Sequence, residues 1–312
     1  MTGWQLKTPV ALIIFNRPDT TERVFNEIAN VRPPKLLVVA DGPRSDHPGE
    51  LEKCAEAQAI IERVDWDCEV ITNFSEVNMG CRKRVSSGID WIFEQVPEAI
   101  ILEDDCLPHP DFFRYCEELL EFYRNDSRIV MISGDNFQFG KKRGNGSYYF
   151  SRYVHIWGWA SWRRAWEFYD VSMADWPAAR DSQALDYIYA SKKEKAFWEK
   201  NFDAVYSNVI DTWDFQWVFT CWNRYGLSVL PQQNMISNIG FNADATHTQC
   251  DSKLSEIPVH GMVFPLRHPP RMLPDTQADS DTFKKVFSPT RRLNIIPRTI
   301  KLLGSRGRDR SL

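Results

Sequence analysis

Three carboxylates stand in a row at Glu103, Asp104 and Asp105, directly after the apolar run Ile100-Ile101-Leu102. A short apolar run bounded by polar residues predicts a buried strand, which places the acids at its C-terminal end. In open α/β sheets that edge is where ligands bind. Neighbouring carboxylates repel one another unless a cation or hydrogen-bond donors offset the charge. Oxygen-only ligation suits a hard divalent ion, Mn2+ or Mg2+, and an ion held there can carry a diphosphate. The plain alternative is a solvated acidic turn, since acids are ordinary at exposed positions.

Further polar residues fall just after other apolar runs. Asn16-Arg17-Pro18 follows the run at 10–15, and Asp41 follows the run at 36–40. Arg82, Lys83 and Arg84 open a segment with helical spacing. If the runs are parallel strands, all of these residues converge on one edge. Asp41 can accept a hydrogen bond from a base or ribose, or serve as a turn residue before Gly42-Pro43. Arg17, Arg82, Lys83 and Arg84 are charged donors suited to phosphate. Three cations at a helix N-terminus oppose the dipole, which calls for a reason beyond exposure.

The elements that must position these residues are legible in the first 135 positions. Residues 10–15, 36–40, 68–72, 99–102 and 129–132 read as strands, and 19–30, 50–64, 80–96 and 111–123 as helices. Such alternation predicts an α/β fold with a mainly parallel central sheet and helices on both faces. After Asp135 the texture changes. Residues 148–166 are crowded with aromatics and glycine and read as hairpins and loops; 191–208 and 212–224 read as helices, 227–230 and 235–237 as short strands. Prolines at 269, 270, 274, 289 and 297 mark a wrapping or partly disordered basic tail. The expected organisation is a Rossmann-like nucleotide-sugar-binding half at 1–135, an acceptor-side half of the same domain at 136–267, and a Pro-rich tail at 268–312.

Composition excludes some functions. The net charge of −4 conceals a tail from Lys284 to Leu312 with nine Lys/Arg and one Asp, so the remainder is strongly acidic. An acidic body argues against nucleic acid as a partner, while the tail suits peripheral contact with an anionic membrane. Seven scattered cysteines without a CxxC pair point to a reducing compartment. With no signal-peptide pattern and no apolar run of about 20 residues, the expected location is cytoplasmic, at most peripheral on the inner face of the plasma membrane.

The stretch from Ile100 to Tyr115 resembles the acidic metal motif of GT-A glycosyltransferases. It is closest to the N-acetylglucosaminyltransferase I family, in which a Glu-Asp-Asp triplet precedes a Pro-Asp-Phe-Phe pattern, here Pro110-Asp111-Phe112-Phe113. Phe15-Asn16-Arg17-Pro18 and Ala40-Asp41-Gly42-Pro43 resemble that family's first two strand ends, and the similarity covers about residues 8–135 well. The resemblance implies that Asp105 binds the metal, Asp104 touches ribose or a metal-bound water, and Glu103 orients the site. It also implies that Asp41 contacts the base and Arg17 sits near base or phosphate. Trp213-Asp214-Phe215-Gln216-Trp217 is similar to the segment carrying the family's catalytic base, which makes Asp214 the candidate base. Asp135, Asp211 and Asp170 compete for that role.

Two further segments are candidates by analogy. Trp157-Gly158-Trp159 offers a close backbone approach and flat indole faces for a donor or acceptor sugar, or a packed aromatic core. His247 resembles the C-terminal histidine that completes the metal shell or touches phosphate in many GT-A enzymes, the plain alternative being a structural histidine. The reading is a metal-dependent inverting glycosyltransferase. It takes a nucleoside-diphosphate sugar, expected to be UDP-linked, and a glycan or lipid-linked glycan acceptor of surface polysaccharide or lipopolysaccharide synthesis. A retaining transferase on the same fold and a non-catalytic glycan-binding protein are the alternatives. A sugar nucleotidyltransferase is disfavoured because no Gly-rich phosphate loop follows the first strand.

Overall fold

The structure, a computed structural model, describes residues 4–240, 254 and 257–287. Its central strands are β1 (Val10–Ile14), β2 (Lys35–Ala40), β3 (Glu69–Phe74) and β4 (Glu98–Glu103). Alternate residues of these strands build two different apolar layers, because successive side chains leave opposite faces of a sheet. Val10, Leu12, Ile14, Leu36, Val38, Ile100 and Leu102 enter one layer. Ala11, Ile13, Leu37, Val39, Ala99 and Ile101 enter the other. Strands buried on both faces need helices on both sides, and the chain supplies them. Helices α1 (Pro18–Val31) and α4 (Asp111–Phe122) contribute to the first layer. Helices α3 (Cys81–Gln95), α5 (Arg163–Trp166), α6 (Trp176–Asp181), α7 (Lys192–Tyr206) and α8 (Asp214–Asn223) contribute to the second. Helix α2 (Glu50–Ala59) ends in a 3-10 turn, Ile60–Arg63.

The sheet has eight strands in the order β3-β2-β1-β4-β8-β6-β9-β7, with β6 (Ile129–Ser133), β7 (Tyr148–Ser151), β8 (Trp159–Trp162) and β9 (Leu227–Pro231). Strands β1 to β4 are mutually parallel, and β6 and β9 pair in parallel with each other. Strand β8 runs antiparallel between β4 and β6, and β7 runs antiparallel on the far edge. The mainly parallel α/β sheet expected from the sequence is therefore present, and the aromatic stretch at 148–166 contributes two of its strands. A second sheet pairs β5 (Cys106–Pro108) with β10 (Ile236–Asn238). Strand β5 was not legible in the sequence.

From β1 the chain moves outward to β2 and β3, then returns to add β4 on the other side of β1. The crevice between the C-terminal ends of β1 and β4 is the topological switch point, the place where open α/β sheets bind ligands. The acid triplet lies there.

Residues 268–287 are built into the body rather than trailing from it. Asp275 caps helix α9 (Thr276–Thr282) through Ala278 N–H. Asp279 of α9 accepts from Ser151 and Arg152, and Asp281 pairs with Lys141 and Arg143. A turn of π-helix, Phe283–Phe287, follows. The basic segment 288–312 lies outside the described residues. No described helix is long and apolar enough to cross a membrane.

Candidate active site

Strands β1 and β4 pair with Ile13 opposite Glu103, so the chain leaving β1 meets the triplet. The Phe15 amide donates to Asp104 Oδ2 at 3.1 Å. Arg17 Nη1 lies 2.9 Å from Asp105 Oδ2 and 3.3 Å from Asp104 Oδ1. A cation offsetting the triplet is thus part of the chain itself. Burial works against the Arg17 charge, yet Asp104 and Asp105 outweigh it and raise its pKa. Burial pushes Glu103 up to about 8, and the Asp105, Asp104 and Asp214 charges add to this. Burial also raises Asp104 to about 7, against the pull of Arg17. Burial and crowding thus favour the protonated carboxyls, and a cation seated among them would favour the ionised ones.

Strand parity explains why Glu103 and Asp214 line one cleft. Glu103 follows the side of Ile101, which faces the layer that α8 helps to build. Asp214 opens α8, where an acid is favoured by the helix dipole. Its Oδ1 accepts from the Phe215 amide at 2.9 Å and from the Thr212 hydroxyl. The crevice between the triplet and the start of α8 is a cleft of about 470 Å³. Arg17, Asp41, Asp105, Trp157, Trp213 and Asp214 are among the residues that line it.

Other expected contacts are spent on structure. Asp41 lines the cleft, but its carboxylate accepts from the amides of Gly42, Met79 and Gly80 and from Asn78 Nδ2. It anchors the 78–80 loop, so a direct bond to a base has little acceptor capacity left. Arg82 donates to the carbonyls of Val205 and Ile210 and to Asn208 Oδ1, closing the end of α7. These three acceptors account for the cation without any phosphate. Lys83 is exposed and away from the cleft. Arg84 lines the cleft floor and ties Ala40 O to Asn73. Asn16 points to Glu50, donating to Oε1 at 2.8 Å.

The aromatic cluster divides. Trp157 lines the cleft. Trp159 is 1 % exposed and stacks on Trp213 with centroids 6.0 Å apart, also meeting Trp166 and Trp217. Trp159 is core, and Trp213 is buried with only its margin on the cleft. Gly158 has φ +61°, and a Cβ there would lie 2.5 Å from Ile236 Cδ1, so packing and backbone shape account for it without a sugar. Asp135 is also fully buried. Its Oδ1 lies 2.7 Å from His155 Nδ1, and its Oδ2 accepts the amide of Trp157 at 3.2 Å. It holds Trp157 from behind rather than facing the cleft.

Among the described residues, no three His, Cys, Asp or Glu side chains converge as a metal shell. His247 lies outside the described residues. Mg2+ is commonly held by one or two carboxylates plus substrate phosphates, and Asp105 beside the cleft fits that open kind of site. Gly240 keeps the approach tight, because a Cβ there would overlap the Asp105 carboxylate.

The chain matches no protein-family model and no curated protein. Solved structures with a similar chain trace at low identity include three enzymes. Mannose-1-phosphate geranyltransferase from Thermus thermophilus aligns with TM-score 0.36 and 11% identity, covering 72% of this chain and 74% of that one. An apo UDP-glucose pyrophosphorylase gives TM-score 0.36 and 8% identity, covering 74% and 93%. A 4-diphosphocytidyl-2C-methyl-D-erythritol synthase from Anaerococcus prevotii gives TM-score 0.32 and 8% identity, covering 65% and 82%. None of the three is an N-acetylglucosaminyltransferase, and scores this low carry no inference about substrate or reaction.

Asn78 and Cys81, from the segment 78–84 expected on this edge, line the cleft, which also contains residues that pattern reading passed over: Arg44, Thr212 and Asn238, with Asp211 only weighed as a rival base. Asn238 follows the rule that found the others, since it ends β10. Arg44 has no such signal; it reaches the cleft edge by pairing with buried Glu50.

Proposed function

We propose that this protein is a metal-dependent inverting glycosyltransferase that moves a sugar from a nucleoside diphosphate, expected to be UDP, to a glycan hydroxyl. The observation that carries the reading is a single cleft at the switch point with the acid triplet on one wall and Asp214 on the other. In the reaction, Asp214 takes the proton of the acceptor hydroxyl, whose oxygen attacks the anomeric carbon as the bond from that carbon to the diphosphate oxygen breaks. The proton ends on Asp214, and the electron pair leaves with the nucleoside diphosphate. Arg17 offsets charge beside the departing diphosphate. Asp105 would hold a divalent ion, whose chemistry there would be Lewis-acid stabilisation of that leaving group. Trp157 and the buried indoles behind it keep bulk water from the reacting carbon.

The test is a thermal-shift screen of nucleotide sugars with and without Mn2+, followed by product analysis by NMR. The expected result is stabilisation by one donor with Mn2+, and a product anomer inverted relative to the donor. In Asp214→Asn, transfer falls by about 10²–10⁴ while donor binding persists. Retained transfer in that variant with an unchanged anomer establishes the retaining alternative. Release of a nucleoside triphosphate from donor plus pyrophosphate marks a nucleotidyltransferase instead.

A further inference from the structure

A second pocket of about 480 Å³ lies on the same edge of the sheet as the cleft. Asn136 follows β6, and Gln232, Gln233 and Asn234 follow β9; both strands run parallel to β4, so their C-terminal ends share its edge. Strand β6 is two places from β4 and β9 is three. At about 4.8 Å per strand, the pocket stands roughly 10–15 Å from the triplet.

Its frame is assembled from paired amides. Asn136 N–H donates to Asn234 Oδ1, Asn136 Nδ2 donates to Pro231 O, and Asn234 Nδ2 donates to Ile236 O. Gln232 Oε1 accepts the Arg143 amide and its Nε2 donates back to the Arg143 carbonyl. Around this frame stand Gln233, Lys142 and His260, all exposed. Phe139 completes the wall. It is 40 % exposed and holds φ +53°, followed by Gly140 at +83°. A bulky side chain in the left-handed region is uncommon and costs stability, and here it presents a ring outward at the pocket mouth. Lys285 Nζ sits 4.8 Å from the ring centroid, a cation–π contact that steadies it.

A pocket with amide and amino groups around one exposed aromatic face suits a saccharide, which offers hydroxyls at its rim and C–H groups on its face. The pocket is joined to the cleft through one step of chain: Asp135 holds the Trp157 amide, and the next residue, Asn136, lines the pocket. Resting on the proposed glycosyl transfer, we propose that this pocket binds the acceptor glycan at a sugar unit beyond the one that reacts. The enzyme then selects oligosaccharides over single sugars.

The experiment applies the full-length protein to an oligosaccharide array, then titrates each bound saccharide against wild type, Phe139→Ala and Gln233→Ala. Calorimetry with UDP and Mn2+ runs in parallel. The expected result is an oligosaccharide bound by wild type and weakened about tenfold or more in Phe139→Ala, with unchanged UDP affinity and unchanged Tm. The proposal is overturned if no saccharide binds wild type, or if both variants bind as well as wild type. Loss of UDP affinity in wild type, with array binding still dependent on Phe139, instead removes the transferase reading and leaves the saccharide site standing.

Discussion

Arg17 reaches from the end of β1 to Asp105 at the end of β4, with Nη1 2.9 Å from Oδ2. The ion pair crosses the crevice in which a diphosphate would sit. It offsets part of the triplet's charge with a guanidinium that can also face phosphate. Replacing Arg17 with Met removes the guanidinium that pairs with Asp104 and Asp105. Unfolding in urea is expected to show a loss of about 1–3 kcal/mol, and Mn2+ is expected to stabilise the variant more than wild type. A variant as stable as wild type would show the pair to be incidental.

Metal binding should depend on nucleotide. With no three-ligand protein shell among the described residues, Mn2+ alone is expected to leave the Tm of wild type nearly unchanged. Mn2+ with UDP is expected to raise it by several degrees, as ligand binding to the folded state does by mass action. A strong shift by Mn2+ alone would point to a closed protein site.

Gly240 has no room for a methyl group beside Asp105. Gly240→Ala is expected to displace the carboxylate or the end of β10, costing about 1–3 kcal/mol and weakening Mn2+–UDP binding at least tenfold. Calorimetry on the folded variant separates the two effects. Undiminished binding would mean that Asp105 does not serve the ligand from its present position.

Trp157 and Trp159 stand two residues apart and should behave oppositely. Trp159→Ala empties a buried stack and is expected to cost about 3–5 kcal/mol. Trp157→Ala, at the cleft wall, is expected to cost much less stability and to lower donor or acceptor affinity. Equal destabilisation by both would place Trp157 in the core as well.

Acid sensitivity should trace in part to Glu50. Burial alone would raise its pKa, but Arg44 and Asn16 outweigh this and hold it down to about 2. A folded-state value below the ordinary 4.5 contributes stability that is complete above about 4.5 and is lost as pH falls toward 2. The ceiling on that contribution is roughly 3 kcal/mol. Glu50→Gln is expected to be less stable at neutral pH and to lose less on acidification from pH 5 to pH 2. Parallel acid-unfolding curves for the two proteins would contradict this.

The end of β4 with its three acids, and the placing of Arg17 and Asp41 on the same edge, could be read from apolar runs alone. The candidate role of Asp214 rested on the resemblance of its Trp-Asp-x-x-Trp segment, and the parity that turns Glu103 toward the layer of α8 is seen only in the folded sheet. Arg82, Asp135, Gly158 and Trp159 looked alike on paper as site residues, yet each is consumed by packing. The carbonyls that claim Arg82 come from 123 and 128 positions further along the chain, and the indoles that enclose Trp159 come from α5 and α8. No spacing rule reports such partners. Apolar runs and their polar ends place residues on the ligand edge of the sheet, and those are local in the chain. Which of them face the cleft depends on donors, acceptors and rings brought from distant parts of the chain, which satisfy some side chains and leave others turned to the cleft.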